Sequence, residues 1–195
     1  MKKLILVASP PASGKTYVSE RLAKALSHVV YLDKDDLHDI MQAAFRVSGN
    51  EADMDSQFYI DNLRPHEYST LLNIAFSALR YEDSVLLNAP FGKEVRDINS
   101  MLELKNRAND LGAELILIWV YTPVDICYER MKKRNAPRDI HKLEDWESYV
   151  KKINYTPPFD LETHGGVDHL ILFETKDDAA FEKSFIKTLN IISGD

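Results

Sequence analysis

Cysteine is nearly absent from this chain. Of 195 residues only Cys127 is one, and the six histidines show no ligand-like pairing with it or with each other. A disulfide framework and a zinc site are therefore excluded, and a reducing, cytoplasmic setting is expected. Positive charge is also in deficit, with 24 Lys and Arg against 31 Asp and Glu for a net charge of −7. That balance opposes binding to long nucleic acid but leaves room for a local basic pocket around a phosphate. Long apolar runs are missing as well. Met1-Lys2-Lys3 ahead of Leu4 to Ala8 looks like the start of an export signal, but Ser9 and two prolines cut the run short of the roughly 7 to 15 residues such a signal needs. No later run approaches a membrane span, so a soluble protein without a membrane partner is expected. Repeats and low-complexity linkers are lacking too, and no feature specifies an oligomeric state. With 45% apolar residues, the chain can bury one sizeable core, which predicts a single domain over residues 1–195.

What is present is a rhythm of short apolar runs at 4–8, 29–32, 85–89, 115–121 and 169–173. They lack the alternation of a half-exposed strand, which predicts strands covered on both faces, as in a parallel sheet. Helical patterns separate them. Val18, Leu22 and Ala25-Leu26 share one face; Val95, Ile98, Leu102 and Leu111 share another, in a helix stopped by Gly112. Thr122-Pro123-Val124-Asp125 reads as N-cap, N1 proline and capping carboxylate of a helix that follows the fourth strand. Strand, helix, strand, helix is the order of an α/β fold. Two regions break the alternation, an insert at 46–80 and a segment at 130–166 that includes the Gly165-Gly166 turn. Both lie where α/β sheets carry ligand-binding loops.

The first strand runs into Ser9-Pro10-Pro11-Ala12-Ser13-Gly14-Lys15-Thr16 and then a helix. A phosphate-binding loop needs small residues so that backbone N–H groups converge on oxygens, a lysine for the β- and γ-phosphates and a hydroxyl for Mg²⁺. Pro11, Ala12, Ser13, Gly14, Lys15 and Thr16 are the candidate nucleotide-binding residues, with the phosphates on a helix N-terminus. Ser9 stands where the G-x-x-x-x-G-K-[ST] pattern has its first glycine. The plain alternative is an ordinary strand-to-helix turn capped by Ser13.

The second strand ends at Asp33-Lys34-Asp35-Asp36. Asp35 or Asp36 suits a helix cap, whereas transfer of a phosphoryl group to an alcohol requires a carboxylate to orient the hydroxyl and take its proton. Together, "MKKLILVASPPASGKT" and "LDKDDLHDIM" resemble the kinase domain of the polynucleotide kinases and their relatives among the P-loop AAA domain kinases, which include zeta-toxin-like and small-molecule kinases. The likeness is strongest through residue 41. It implies a five-stranded parallel sheet in the order 2-3-1-4-5, sandwiched by helices and resembling a nucleoside kinase with a lid. It also implies ATP and Mg²⁺ as cofactors and a hydroxyl-bearing acceptor. Asp35 maps to the general base, and Lys15 and Thr16 to the loop lysine and the metal-binding hydroxyl. Where polynucleotide kinases carry a phosphate-holding arginine, this chain has His38. A small-molecule alcohol suits the acidic charge; a 5′-hydroxyl nucleic-acid end suits the family but loses that arginine. A switch or ATPase without a dedicated acceptor is the other reading, in which Asp35 would only be a cap.

The third strand ends at Asn88, where many P-loop enzymes have an aspartate supporting the Mg²⁺ shell. Either Asp33 supplies that charge or the shell is looser, and a plain sheet-edge amide is the alternative. Lys93 reads as a surface lysine. Arg130, Arg134 and Arg138 recur every four residues, and Pro137 should end their helix near Asn135. In nucleotide kinases of this build such arginines sit on a lid over the phosphates, which marks Arg134 and Arg138 as candidates. Arg46, Arg64, His66 and Tyr68 are acceptor-side candidates by location, while Phe58, Tyr59, Trp146 and Tyr149 read as packing aromatics.

Overall fold

The computed structural model describes residues 1–194; within them, the side chain of Arg138 lies outside the described residues. Each apolar run forms a strand: β1 (Lys2–Ala8), β2 (Val29–Asp33), β3 (Ser84–Asn88), β4 (Ala113–Tyr121) and β5 (His169–Glu174). All neighbours pair in parallel, in the order β2-β3-β1-β4-β5. The fold is thus the α/β, five-stranded parallel sheet that the sequence and its resemblance imply. The missing alternation has a simple cause, because helices cover both faces. Leu4, Leu6 and Ala8 face α3 (Arg64–Leu79) and α4 (Ile98–Asn109) on one side. Ile5 and Val7 face α1 (Lys15–Ala25) and α9 (Asp178–Ser193) on the other. Leu4 to Ala8 are wholly buried, and each of the large side chains contributes about 1.5–3 kcal/mol by leaving water.

The remaining elements lie over the carboxyl ends of the strands or flank them. After β2 come a 3₁₀ turn (Lys34–Leu37) and α2 (His38–Ser48); the insert continues through a π-helical turn (Tyr59–Leu63) into α3. After β4 come α5 (Val124–Arg134), α6 (Ile140–Glu144), α7 (Trp146–Lys152) and α8 (Asp160–Thr163). Asn135, at a φ of 47°, stops α5 two residues before Pro137, as the proline requires. Trp146 packs against Tyr128 and Tyr149, with ring centroids 5.0 and 5.5 Å apart. Among the described residues, no helix is long and apolar enough to cross a membrane.

Three local expectations are corrected. Thr122 is not the N-cap of α5; Pro123 holds that position without a side-chain cap, because the Thr122 hydroxyl is drawn inward to the carbonyl of Ser13. The buried face of α4 is Met101, Leu104 and Ala108, while Val95 precedes the helix in a 3₁₀ turn and the helix ends three residues before Gly112. Neither Asp35 nor Asp36 caps the helix after β2. Asp33 caps the 3₁₀ turn instead, accepting from the Asp35 N–H at 2.9 Å, and α2 starts after Leu37 without a side-chain cap.

Candidate functional site

The loop after β1 lies at the centre of the sheet, between the ends of β3 and β4. Helix α1 begins at Lys15 with no side-chain cap, so the Ser13-capped turn is not what forms. Ser13 is instead buried, and its carbonyl accepts from the hydroxyls of Thr122 and Thr175, each at 2.9 Å. Those two residues follow β4 and β5, so three strand ends are tied beneath the loop. Arg130, on α5, closes the knot by donating to both hydroxyls at 3.3 Å and to the Thr175 carbonyl at 2.6 Å. Its guanidinium lies 3.4 Å from where a side chain on Gly14 would begin, and Gly14 has a φ of 87°. That distance is ordinary contact, and it is the left-handed backbone that favours glycine there.

Asn88, 1% exposed at the end of β3, is the hub beside this loop. Its Oδ1 accepts from Lys15 Nζ at 2.5 Å and Ser19 Oγ at 3.2 Å. Its Nδ2 faces Asp33 Oδ2 at 2.5 Å, Thr16 Oγ1 at 3.3 Å and the Tyr31 hydroxyl at 3.3 Å. Tyr31 in turn donates to Asp33 at 2.8 Å. The sheet-edge reading of Asn88 thus gives way to a residue that touches both loop side chains. Desolvation pushes the Lys15 ammonium down to about 8, against the pull of Asp33 and Asp35. Thr16 Oγ1 and the Asp33 carboxylate meet on one amide nitrogen, and both are hard oxygen donors. Among the described residues no cluster of three His, Cys, Asp or Glu side chains forms a protein cage for a metal. Two oxygens beside a phosphate loop instead fit Mg²⁺, which keeps waters and substrate oxygens in its shell.

Asp35 stands at the mouth of this cluster with its side chain 72% exposed, 3.9 Å from Lys34. Lys34 is committed inward to Glu67 at 3.1 Å, and the fully buried Glu67 also accepts from the Tyr59 hydroxyl. That triad fastens the insert to the end of β2. Nothing in the sequence marks it, since a glutamate on a helix ordinarily faces water. Of the acceptor-side candidates, Arg64 is held by Glu94 in a two-pronged pair at 2.9 Å and lies over the ring of buried Tyr68. Arg46, His66 and Lys93 face solvent.

The arginines separate. Arg134 makes two bonds, at 2.8 and 2.6 Å, to the buried carboxylate of Asp139, so it joins α5 to the following turn rather than reaching the loop. Arg138 sits in that turn. Arg130, which shares their spacing, is the one at the loop, and it also lines a cavity of about 640 Å³ with Gly14, Tyr17, Thr175, Lys176 and Phe181. The four-residue spacing was the signal for Arg130; its partners Thr122 and Thr175 come from other strands.

A family model described as AAA domain matches residues 4–153. No curated protein matches the chain. Among solved structures, a protein provisionally classed as a kinase from Chloroflexus aurantiacus is 18% identical, with a TM-score of 0.63 over 100% of this chain and 98% of that one. A shikimate kinase from Acinetobacter baumannii in complex with shikimate is 21% identical, with a TM-score of 0.53 over 100% and 94%. Chaetomium thermophilum Kti12 in complex with ADP-AlF3 is 18% identical, with a TM-score of 0.56 over 96% and 97%. At these identities the likeness is one of fold, and that fold is the P-loop kinase fold. The family match runs from β1 through the loop, the Asn88 cluster and the arginine segment, and the chain belongs to the AAA domain family.

Proposed function

We propose that the protein transfers the γ-phosphoryl group of ATP to a hydroxyl of a small molecule held against Asp35. The observation that carries this reading is the convergence on one buried amide. Asn88 gathers the Lys15 ammonium, the Thr16 hydroxyl and the Asp33 carboxylate, and the exposed Asp35 carboxylate opens two residues further on. In this reading the backbone of Pro11 to Thr16 cradles the phosphates, and Lys15 neutralises the β- and γ-oxygens. Thr16 and Asp33 would hold Mg²⁺, which offsets phosphate charge when bound. Asp35 accepts the acceptor's proton while the new O–P bond forms and the bond from the γ-phosphorus to its bridging oxygen breaks, leaving ADP and a phosphate ester. Arg134 and Arg138 are assigned to the charge that develops on the transferring group, Arg134 after release from Asp139 as the lid closes.

Three observations support a small alcohol over a nucleic-acid end. The net charge is −7, His38 stands at the family's phosphate-holding position, and Lys34 and Arg64 are already neutralised by Glu67 and Glu94. The fold is also one in which shikimate and ADP-AlF3 are each found bound in other proteins. ATP turnover measured alone and with a panel of alcohols tests the reading. Slow basal turnover raised by one acceptor, with a phosphate ester as product, is the expected result. Turnover that no alcohol changes and that yields only inorganic phosphate would favour the acceptor-free switch.

A further inference from the structure

We infer that Asp33 and Asn88 form one exchangeable unit, in which the single negative charge of the metal site stands on β2 instead of β3. The inference rests on the nucleotide-binding reading above and concerns which strand carries the charge.

The geometry is specific. Asp33 and Asn88 are register partners across the β2–β3 pair, so their side chains leave the sheet on the same face. Asn88 Nδ2 and Asp33 Oδ2 are 2.5 Å apart. The orientation of the amide is fixed from both sides, because Oδ1 takes Lys15 and Ser19 while Nδ2 faces Asp33 and Thr16. Two carboxylates at this separation repel and cannot both stay ionised. One member must therefore be neutral, and an amide is the neutral form that still donates to its partner. The carboxylate could stand on either strand, since Asn88 touches the Thr16 hydroxyl directly and Asp33 is joined to it through the same Nδ2. The tyrosine hydroxyl of Tyr31 favours the observed choice by donating to Asp33 at 2.8 Å.

Exchangeability makes an unusual demand. Asp33→Asn removes the charge, whereas Asp33→Asn combined with Asn88→Asp returns it one strand over, with the amide now on β2. Both proteins, the wild type and an Asp36→Asn control, are titrated with fluorescent ADP in EDTA and in MgCl₂, and thermal melts report folding. Asp36 is an exposed neighbour with no side-chain hydrogen bond among the described residues. The wild type and Asp36→Asn should bind more tightly with Mg²⁺. Asp33→Asn should lose about 10- to 100-fold of that Mg²⁺ enhancement while keeping its affinity in EDTA, and the double variant should recover most of it.

Asp33→Asn with the full enhancement overturns the inference, as does a folded double variant no better than Asp33→Asn. If the double variant does not fold, the two strands are not exchangeable and the inference fails, whatever Asp33→Asn alone shows. A wild type that binds no ADP in either buffer strikes the nucleotide reading itself, and is distinct from each of these.

Discussion

Around Asn88, five polar groups from α1 and β2 meet on one buried amide at the end of β3. Around Asp35, the carboxylate is open to water, and the cations of the turn after β2, the insert and α5 are bound to other protein groups: Lys34 to Glu67, Arg64 to Glu94, Arg134 to Asp139. The first region is built on strand ends and the first turns of a helix, where the sheet fixes every backbone position. The second is built on the insert and the segments after α5, which reach the sheet through side chains. Among the described residues, the buried hydroxyls of Tyr149 and Tyr155, in that second region, meet no hydrogen-bond partner. The contrast teaches that the Asn88 cluster is preorganised by the sheet, while the region around Asp35 is held by pairs of charges, and under the proposed function the Arg134–Asp139 pair would have to part for Arg134 to act.

The largest expected effect tests the donor side. Lys15→Ala should abolish phosphoryl transfer to background and weaken ATP binding while the fold survives, since Lys15 is the only charged side chain of the loop; normal turnover by a folded variant would dissolve the contrast. Next is Asp35→Asn, which should bind Mg²⁺·ATP nearly as wild type yet transfer phosphate about 10² to 10⁴ times more slowly, the usual worth of a general base. Initial rates with the identified acceptor check this, and an unchanged rate would remove Asp35 as the base.

Arg134→Ala sharpens the comparison on the acceptor side. If Arg134 reaches developing charge, the rate should fall by roughly 10³-fold or more with little change in ATP affinity. The same variant strands the buried Asp139 carboxylate, at an expected stability cost of about 1–3 kcal/mol. Adding Asp139→Asn should recover stability in a thermal melt but not the rate; recovery of both would mean that Arg134 serves only as a strut.

The smallest effect concerns pH. The folded-state value of Lys15, about 8, lies below its ordinary 10.5, so between those values the unfolded chain binds more protons. Stability should rise with pH across that window, and the burial cost is fully present below pH 8. Lys15→Met should flatten the slope and stabilise the protein at pH 7, by about 1–3 kcal/mol at most. Denaturant melts at pH 7 and 10 read the difference, and parallel slopes for the two proteins would place Lys15 in a less desolvated setting.

The sequence by itself determined the five strands, the helices between them and the loop from Ser9 to Thr16. These depend on local apolar runs and on small residues at fixed spacing, which one stretch of chain specifies without help. It also marked Asp33, Asp35 and Asn88, because strand ends of a parallel sheet gather on one edge. Only the tertiary structure decided what those residues touch. Thr122 could not be known to turn inward before Ser13 lay beneath it, nor Glu67 to be buried before Lys34 and Tyr59 came to it, nor Arg130 rather than Arg134 to lie against the loop. Each of these partnerships joins groups far apart in the chain or on different elements, and the free energy of a buried polar group is set by the partner it meets, which periodicity does not encode.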